Sequence, residues 1–408
     1  MQALFLGAGA SFDCGMQLVS ELTAELKRWL PKEKLERFNG LWRARGGGWS
    51  DELISMLTSL LSNKDMHYEN IIGAIEVAFS RERDQEKRRN LHAINGFLLQ
   101  AVRGLLMERQ IKNLPFSTSA LDDFGGITKL VEENKPLWIF SINHDLIIES
   151  LAGKFSIPIK SGFKEIVEIE MGSGDGESQS VSFERLPRAS IEANDYDFFM
   201  PGEVGINLIK IHGALDIFAQ GDELSYVKIA AQNGDASSYV QQLALISSID
   251  LALGQRDGVR AINENIYIDS HGEIQFLRNT LLSGAHKFTP HMHQLAPPEF
   301  FELFRRCVNY ASELICIGYG FGDRHIDETL VDWLSLSDDR QLKIVNPGIS
   351  NCPSRFGHLF NQVSLAQHGA ADYFLNLGGD SRTYTQKAMR AIRTRKRAQM
   401  MTELLGNP

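Results

Sequence analysis

Two rhythms of apolar residues run along this chain. Short, nearly unbroken runs occur at 3–6 (ALFL), 137–142 (LWIFSI), 207–211 (NLIKI), 314–317 (LICI) and 342–345 (LKIV). Between them, apolar residues recur every three or four positions, as at Leu18, Leu22, Leu26 and Leu30. Continuous runs of this length predict strands buried on both faces, and the longer spacing predicts amphipathic helices packed over them. The fold class expected is α/β: a Rossmann-like parallel sheet with large helical insertions.

The first insertion covers about 50–133, where helical spacing is continuous. Ser50 is placed to cap its first helix, and Pro115 with the Ser and Thr residues after it breaks the series. A second insertion covers about 219–293, and its segment SYVQQLALISSIDLALG reads as helix. The stretch 171–180 (MGSGDGESQS) reads as an exposed loop. Residues 1–380 are then one domain, and 381–408 a basic helical tail.

Charge sharpens this division. The 408 residues carry 42 Lys and Arg against 51 Asp and Glu, a formal net charge of -9. Seven basic residues and no acid lie between Arg382 and Arg397, so the rest of the chain stands at -16. An acidic body of this kind disfavours a general nucleic-acid surface. The tail is expected to serve protein docking or self-assembly. No run approaches the ~18 apolar residues of a membrane span, and the first residues lack the basic and apolar segments of a secretory signal. Cys14, Cys307, Cys316 and Cys352 have no paired spacing, against a disulfide framework or a Cys-rich zinc site. A cytoplasmic protein without membrane contact is expected.

Polar residues placed just past the apolar runs are the candidates for chemistry. Gly7, Ala8, Gly9, Ala10 and Ser11 follow the first run, where small residues let a backbone approach a pyrophosphate. Tight strand–helix packing selects the same residues. The third glycine of the dinucleotide fingerprint is missing, and no acid follows ~20 residues on, which disfavours hydride transfer. Asn143, His144 and Asp145 follow the second run, as ligand contacts or as helix caps. His212 and Gly213 follow the third, and a neutral imidazole there could accept a proton near pH 7. Gly318, Gly320, Gly322 and Asp323 follow the fourth, and Asn346 the fifth. His286, His291 and His293 are read as a surface loop rather than a metal site.

In this order, GAGAS, FSINHDLIIESLAG, IKIHGAL and the glycine loop resemble the sirtuin family. The resemblance covers 1–30, 137–152, 207–216 and 312–348, about a third of the chain. The four-cysteine zinc module of sirtuin deacylases has no counterpart here. Where they carry Gly-Ile-Pro-Asp-Phe-Arg, this chain reads CGMQL, and no acyl-lysine platform is recognisable. GYGFGDRHID is similar instead to sirtuin-like proteins of antiphage defence that hydrolyse NAD, of the type paired with a HerA-family hexameric ATPase. The resemblance implies an NAD glycohydrolase needing no metal, held inactive until assembly or a phage signal. Homo-oligomers are implied, with nucleic acid reached only through the ATPase. Asn143 would hold the ribose or water, and His212 would be the base. Asp145 would meet the carboxamide, and Gly7 to Ser11 the phosphates. Gly318, Gly320, Gly322 and Asp323 would border the adenosine half, with Asn346 near its ribose or base. The alternatives are an NAD-dependent deacylase and a non-catalytic dinucleotide-sensing scaffold.

Overall fold

A computed structural model describes residues 1–174, 178–230, 235–256, 261–284, 287, 295–379 and 382–405. In chain order the strands are β1 (Gln2–Leu6), β2 (Leu137–Ser141), β3 (Ile159–Lys160), β4 (Glu165–Gly172), β5 (Ser178–Pro187), β6 (Ile206–Lys210), β7 (Ile217–Gln220), β8 (Ser225–Ile229), β9 (Glu264–Ile268), β10 (Ile274–Asn279), β11 (Glu313–Ile317), β12 (Gln341–Val345) and β13 (Val363–Ala366). The main sheet has seven strands in the order β13-β12-β11-β1-β2-β6-β3, and every pairing is parallel. The chain steps outward from β1 through β2 to the edge strand β3, comes back one place to β6, crosses over to β11 on the other side of β1, and steps outward again to β13. That order is compatible with a Rossmann-like core whose direction reverses between β1 and β11.

Alternation along each strand explains why the sheet needs cover on both faces. Leu4, Leu6, Ile139, Leu208 and Ile315 feed one apolar core, while Ala3, Phe5, Phe140, Ile209 and Cys316 feed another. Neighbouring residues of one strand therefore belong to different cores.

Seven α-helices lie between β1 and β2 and contribute to the first core: α1 (Val19–Trp29), α2 (Lys32–Arg43), α3 (Asp51–Ser62), α4 (Tyr68–Arg81), α5 (Gln85–Lys112), α6 (Leu114–Ala120) and α7 (Ile127–Glu133). Ser50 caps α3 by accepting from the Leu53 N–H at 3.4 Å. Pro115 sits in the first turn of α6, where its missing N–H costs nothing, just after α5 ends. One difference matters for the site. The glycine turn leads into a seven-residue 3-10 helix, Ala8–Cys14, and the Leu22/Leu26 helix begins only at Val19.

A second body lies outside the expectation. Strands β10-β7-β8-β5-β4-β9 close an antiparallel barrel. Its strands come from both sides of β6: α8 (Ile147–Lys154) joins β2 to β3 of the parallel sheet, whereas α9 (Arg188–Glu192) follows β5 and α10 (Ser238–Arg256) joins β8 to β9. The stretch expected as a loop at 171–180 includes the ends of a hairpin instead: Met171 and Gly172 close β4, and Ser178 opens β5. Alternation on these strands is masked by surface Glu and Ser, as in EIVEIEMG, so composition pointed away from a strand.

The remaining helices are α11 (Glu299–Cys307), α12 (Arg324–Ser335), α13 (Ala370–Gly378) and α14 (Tyr384–Leu405). The basic tail is α14, and it lies on the chain's own acidic body. Arg393 pairs with Asp123 at 2.9 Å, and Arg390 with Asp372 at 2.7 Å. Arg397 pairs with Glu21 at 2.6 Å and stacks 3.8 Å over the Phe12 ring. Among the described residues no helix is long and apolar enough to cross a membrane.

Candidate functional site at the carboxyl edge of the sheet

Parallel pairing brings the C-terminal ends of β1, β2, β6, β11 and β12 to one edge, and with them Gly7 to Ser11, Asn143 to Asp145, His212, Gly318 to Asp323 and Asn346. The glycines there pack against one another. Gly7 N–H donates to Ile317 O at 3.0 Å, Gly9 N–H to Gly318 O at 2.9 Å, and Ala10 N–H to Gly7 O at 2.9 Å. A Cβ on Gly318, whose φ is +65°, would lie 2.2 Å from the Ala10 nitrogen; one on Gly9 would lie 2.7 Å from Gly318 Cα. Three amides of the turn are thus already engaged, and close packing accounts for Gly7, Gly9 and Gly318. Gly320 and Gly322 are exposed, and a Cβ on either would meet nothing within 4 Å. Tyr319 ties this loop to α12, donating to Asp327 Oδ1 at 2.8 Å and accepting from Asp323 N at 3.2 Å.

Asn143 is buried against the glycine turn. Its Nδ2 donates to Gly7 O at 2.9 Å and to Ser11 Oγ at 3.2 Å. Asp145 makes a local turn rather than the helix cap: Oδ1 accepts from Ile147 N at 3.1 Å, while Leu146 occupies the N-cap of α8. Asn346 makes a similar local turn, accepting from Gly348 N at 3.0 Å.

Beneath this edge lies a group of charges the apolar pattern conceals. Lys210, flanked by Ile209 and Ile211, donates to the carbonyls of Asn143 (3.4 Å) and Asp145, and its Nζ stands 3.4 Å from Glu149 Oε2. Lys228 on β8 pairs with Asp216 at 2.9 Å and approaches Glu149 at 3.8 Å. All four side chains are at most 3% exposed. Burial works against the charge on Lys228, but Asp216 and Glu149 outweigh it and hold the ammonium above its ordinary range. Burial raises Glu149, against the pull of the two lysines. The cluster joins the Asn143 loop to the barrel. Leu215 N–H also donates to His144 O at 2.9 Å, and Leu282 N–H to His212 O at 2.9 Å.

His212 is 2% exposed, and its Nε2 lies 3.1 Å from Nε2 of His325 on the first turn of α12. His144 is alongside, with ring centroids 6.5 Å apart. Asp323 completes the group: one ligand-capable atom from each of His212, Asp323 and His325 lies within 4.8 Å of the others. Lys287 Nζ pairs with Asp323 at 3.0 Å and Glu69 at 2.7 Å. Burial is the chief cause that lowers all three histidines, with the Lys287 ammonium adding to it. His144 falls to about 3, His325 to about 4, and His212 well below its ordinary value. Asp323 partly offsets this at His325. All three imidazoles are neutral at pH 7, able to accept a proton or bind a metal.

Parallel topology thus joins Gly7, Ser11 and Asn143 by hydrogen bonds, and His212 with Asp323 by proximity. Gly320, Gly322 and Asn346 share the edge without joining either group. Sequence reasoning missed His325, Lys287, Lys210 and Glu149 as site residues. A charge inside an apolar run was the available signal for Lys210; nothing local marks Lys287, whose partners stand 218 and 36 residues away. His286, His291 and His293 lie outside the described residues. No protein-family profile matches the chain, and no curated protein matches it either.

Proposed function

We propose that this chain cleaves NAD to nicotinamide and ADP-ribose. The observation that carries the reading is the placement of a buried amide, Asn143, bonded to the glycine turn, and a buried neutral imidazole, His212, at the ends of adjacent strands on one carboxyl edge. In such sheets ligands sit outside the strand ends, beside the point where strand order reverses. The scissile bond joins a ribose carbon to a cationic pyridinium nitrogen. On cleavage the bonding pair passes to that nitrogen, which becomes neutral, and the ribose takes oxocarbenium character. Water adds to the same carbon and gives its proton to His212 Nε2. His325, at 3.1 Å and partly exposed, is placed to pass that proton to solvent. The sum is NAD plus water to nicotinamide, ADP-ribose and a proton. Asn143 holds the glycine turn and the ribose face in register.

The resemblance of the motifs alone supports the proposed setting: cytoplasmic antiphage defence by NAD depletion, in homo-oligomers assembled with a HerA-type ATPase. A second reading, a dinucleotide-sensing scaffold without turnover, is favoured by one observation: the amides of Gly7, Gly9 and Ala10 are already bonded within the protein. Nucleotide mass spectrometry after incubation with NAD, with and without the ATPase, separates the two. Cleavage is expected to fall by at least ~100-fold in Asn143→Ala and in His212→Ala. Wild-type turnover surviving in both variants overturns the reading, and NAD retained intact on the protein selects the scaffold.

A further inference from the structure

We infer that His212, His325 and Asp323 form a binding site for a divalent transition-metal ion of the zinc class. Two imidazole nitrogens face each other at 3.1 Å. The edge of a zinc tetrahedron with Zn–N of 2.0–2.1 Å is about 3.3–3.4 Å, so an ion fits between them with little movement of either ring. The carboxylate supplies the third donor. One of its oxygens lies within 4.8 Å of an imidazole nitrogen of each histidine, so it has at most ~1.5 Å to close in order to coordinate. The Asp323 side chain is 19% exposed and belongs to a loop, so that approach needs no movement in the sheet. Two imidazoles with one carboxylate suit zinc, cobalt or nickel and do not suit magnesium or calcium, which take oxygen donors.

Lys287 sets the terms of binding. Its ammonium stands on Asp323 Oδ1, and its second partner Glu69 can keep it when the carboxylate turns to the ion. The cation beside the site weakens affinity without removing a donor. A consequence follows that rests on the NAD reading. An ion on His212 Nε2 occupies the atom that would accept water's proton, and its charge opposes the positive ribose of the transition state. Metal at this site is therefore inhibitory to NAD cleavage.

The test starts with the full chain stripped by a chelator and titrated with zinc against a chromophoric zinc indicator. One equivalent is expected to bind. His325→Ala and Asp323→Asn should each weaken binding by more than the ~10–100-fold that loss of an outer-shell partner costs. His325→Gln, which keeps a polar side chain on the first turn of α12, should behave as His325→Ala does. Cobalt reports geometry: a tetrahedral visible spectrum in the wild type, lost in both His325 variants. Less than one equivalent in the wild type, or unchanged binding in these variants, overturns the site. Zinc is then added during NAD turnover, where inhibition reversed by the chelator is expected. Full turnover with the site occupied overturns the inhibitory role. Zinc binding in a chain that never consumes NAD supports the site and counts against the NAD reading, so the two failures are distinguishable.

Discussion

Individual glycines at the carboxyl edge have different work, although they look alike in the sequence. Gly318 is bound by backbone on one side and a left-handed φ on the other, whereas Gly320 is exposed with open space around it. Gly318→Ala should therefore cost more than ~2 kcal/mol, since the methyl meets main chain that has no room to yield. Gly320→Ala should change stability by no more than ~0.5 kcal/mol. Urea unfolding of the two variants makes the comparison, and equal losses would contradict the packing described. Lys210 illustrates the opposite case. A lysine among isoleucines is costly to bury, and it is retained here because two carbonyls of the Asn143 loop and Glu149 compensate it.

At the level of elements, α14 is bound in cis to the acidic body by one of its faces. Arg382, Arg390, Arg393 and Arg397 are paired with acids of the body, leaving Lys387, Arg395 and Lys396 on the exposed face. Arg397 also donates to Met16 O at 2.8 Å, just after the 3-10 helix that follows the glycine turn. Beneath α14 is a cavity of about 220 Å³ whose lining includes Phe12, Asp13 and Glu21 and none of the strand-end residues. Arg397→Ala should lower stability by about 1–3 kcal/mol, the cost of leaving a buried carbonyl and a paired carboxylate without their donor. Lys396→Ala should be neutral within ~0.5 kcal/mol. Denaturation midpoints of the pair check this, and a neutral Arg397 variant would show that α14 is not held as described.

For the molecule as a whole, the three neutral histidines make a prediction about acid. Their folded-state pKa values lie below the ordinary value near 6.5, so the unfolded chain takes up protons that the folded chain does not. Stability is therefore fully present above pH ~6.5 and falls as pH drops toward the folded values, about 4 for His325 and about 3 for His144. Each histidine contributes about 1.4 kcal/mol per pH unit across that window. Unfolding at pH 7.5 and 5.0 should show the loss, and His144→Asn should reduce its slope. An unchanged slope would mean that His144 is solvated and protonates freely.

The parallel sheet, its helical cover and the strand-end positions of Asn143 and His212 were legible in the chain, because buried strands and amphipathic helices each leave a local period. That Gly7, Asn143, His212 and Gly318 share one edge followed from the same reading, since parallel strands all end on one side. The barrel was not legible. Its strands alternate weakly, and the pairings that close its three hairpins into a barrel, β5 with β8, β7 with β10 and β4 with β9, join stretches far apart in the chain, so no local pattern records their closure. Nor could sequence show that His212 meets His325, that Lys287 reaches Asp323, or that α14 folds back onto Asp123 and Glu21. Those contacts are choices among many possible partners for a charge or an imidazole, and only tertiary packing, by excluding water and setting distances, makes the choice.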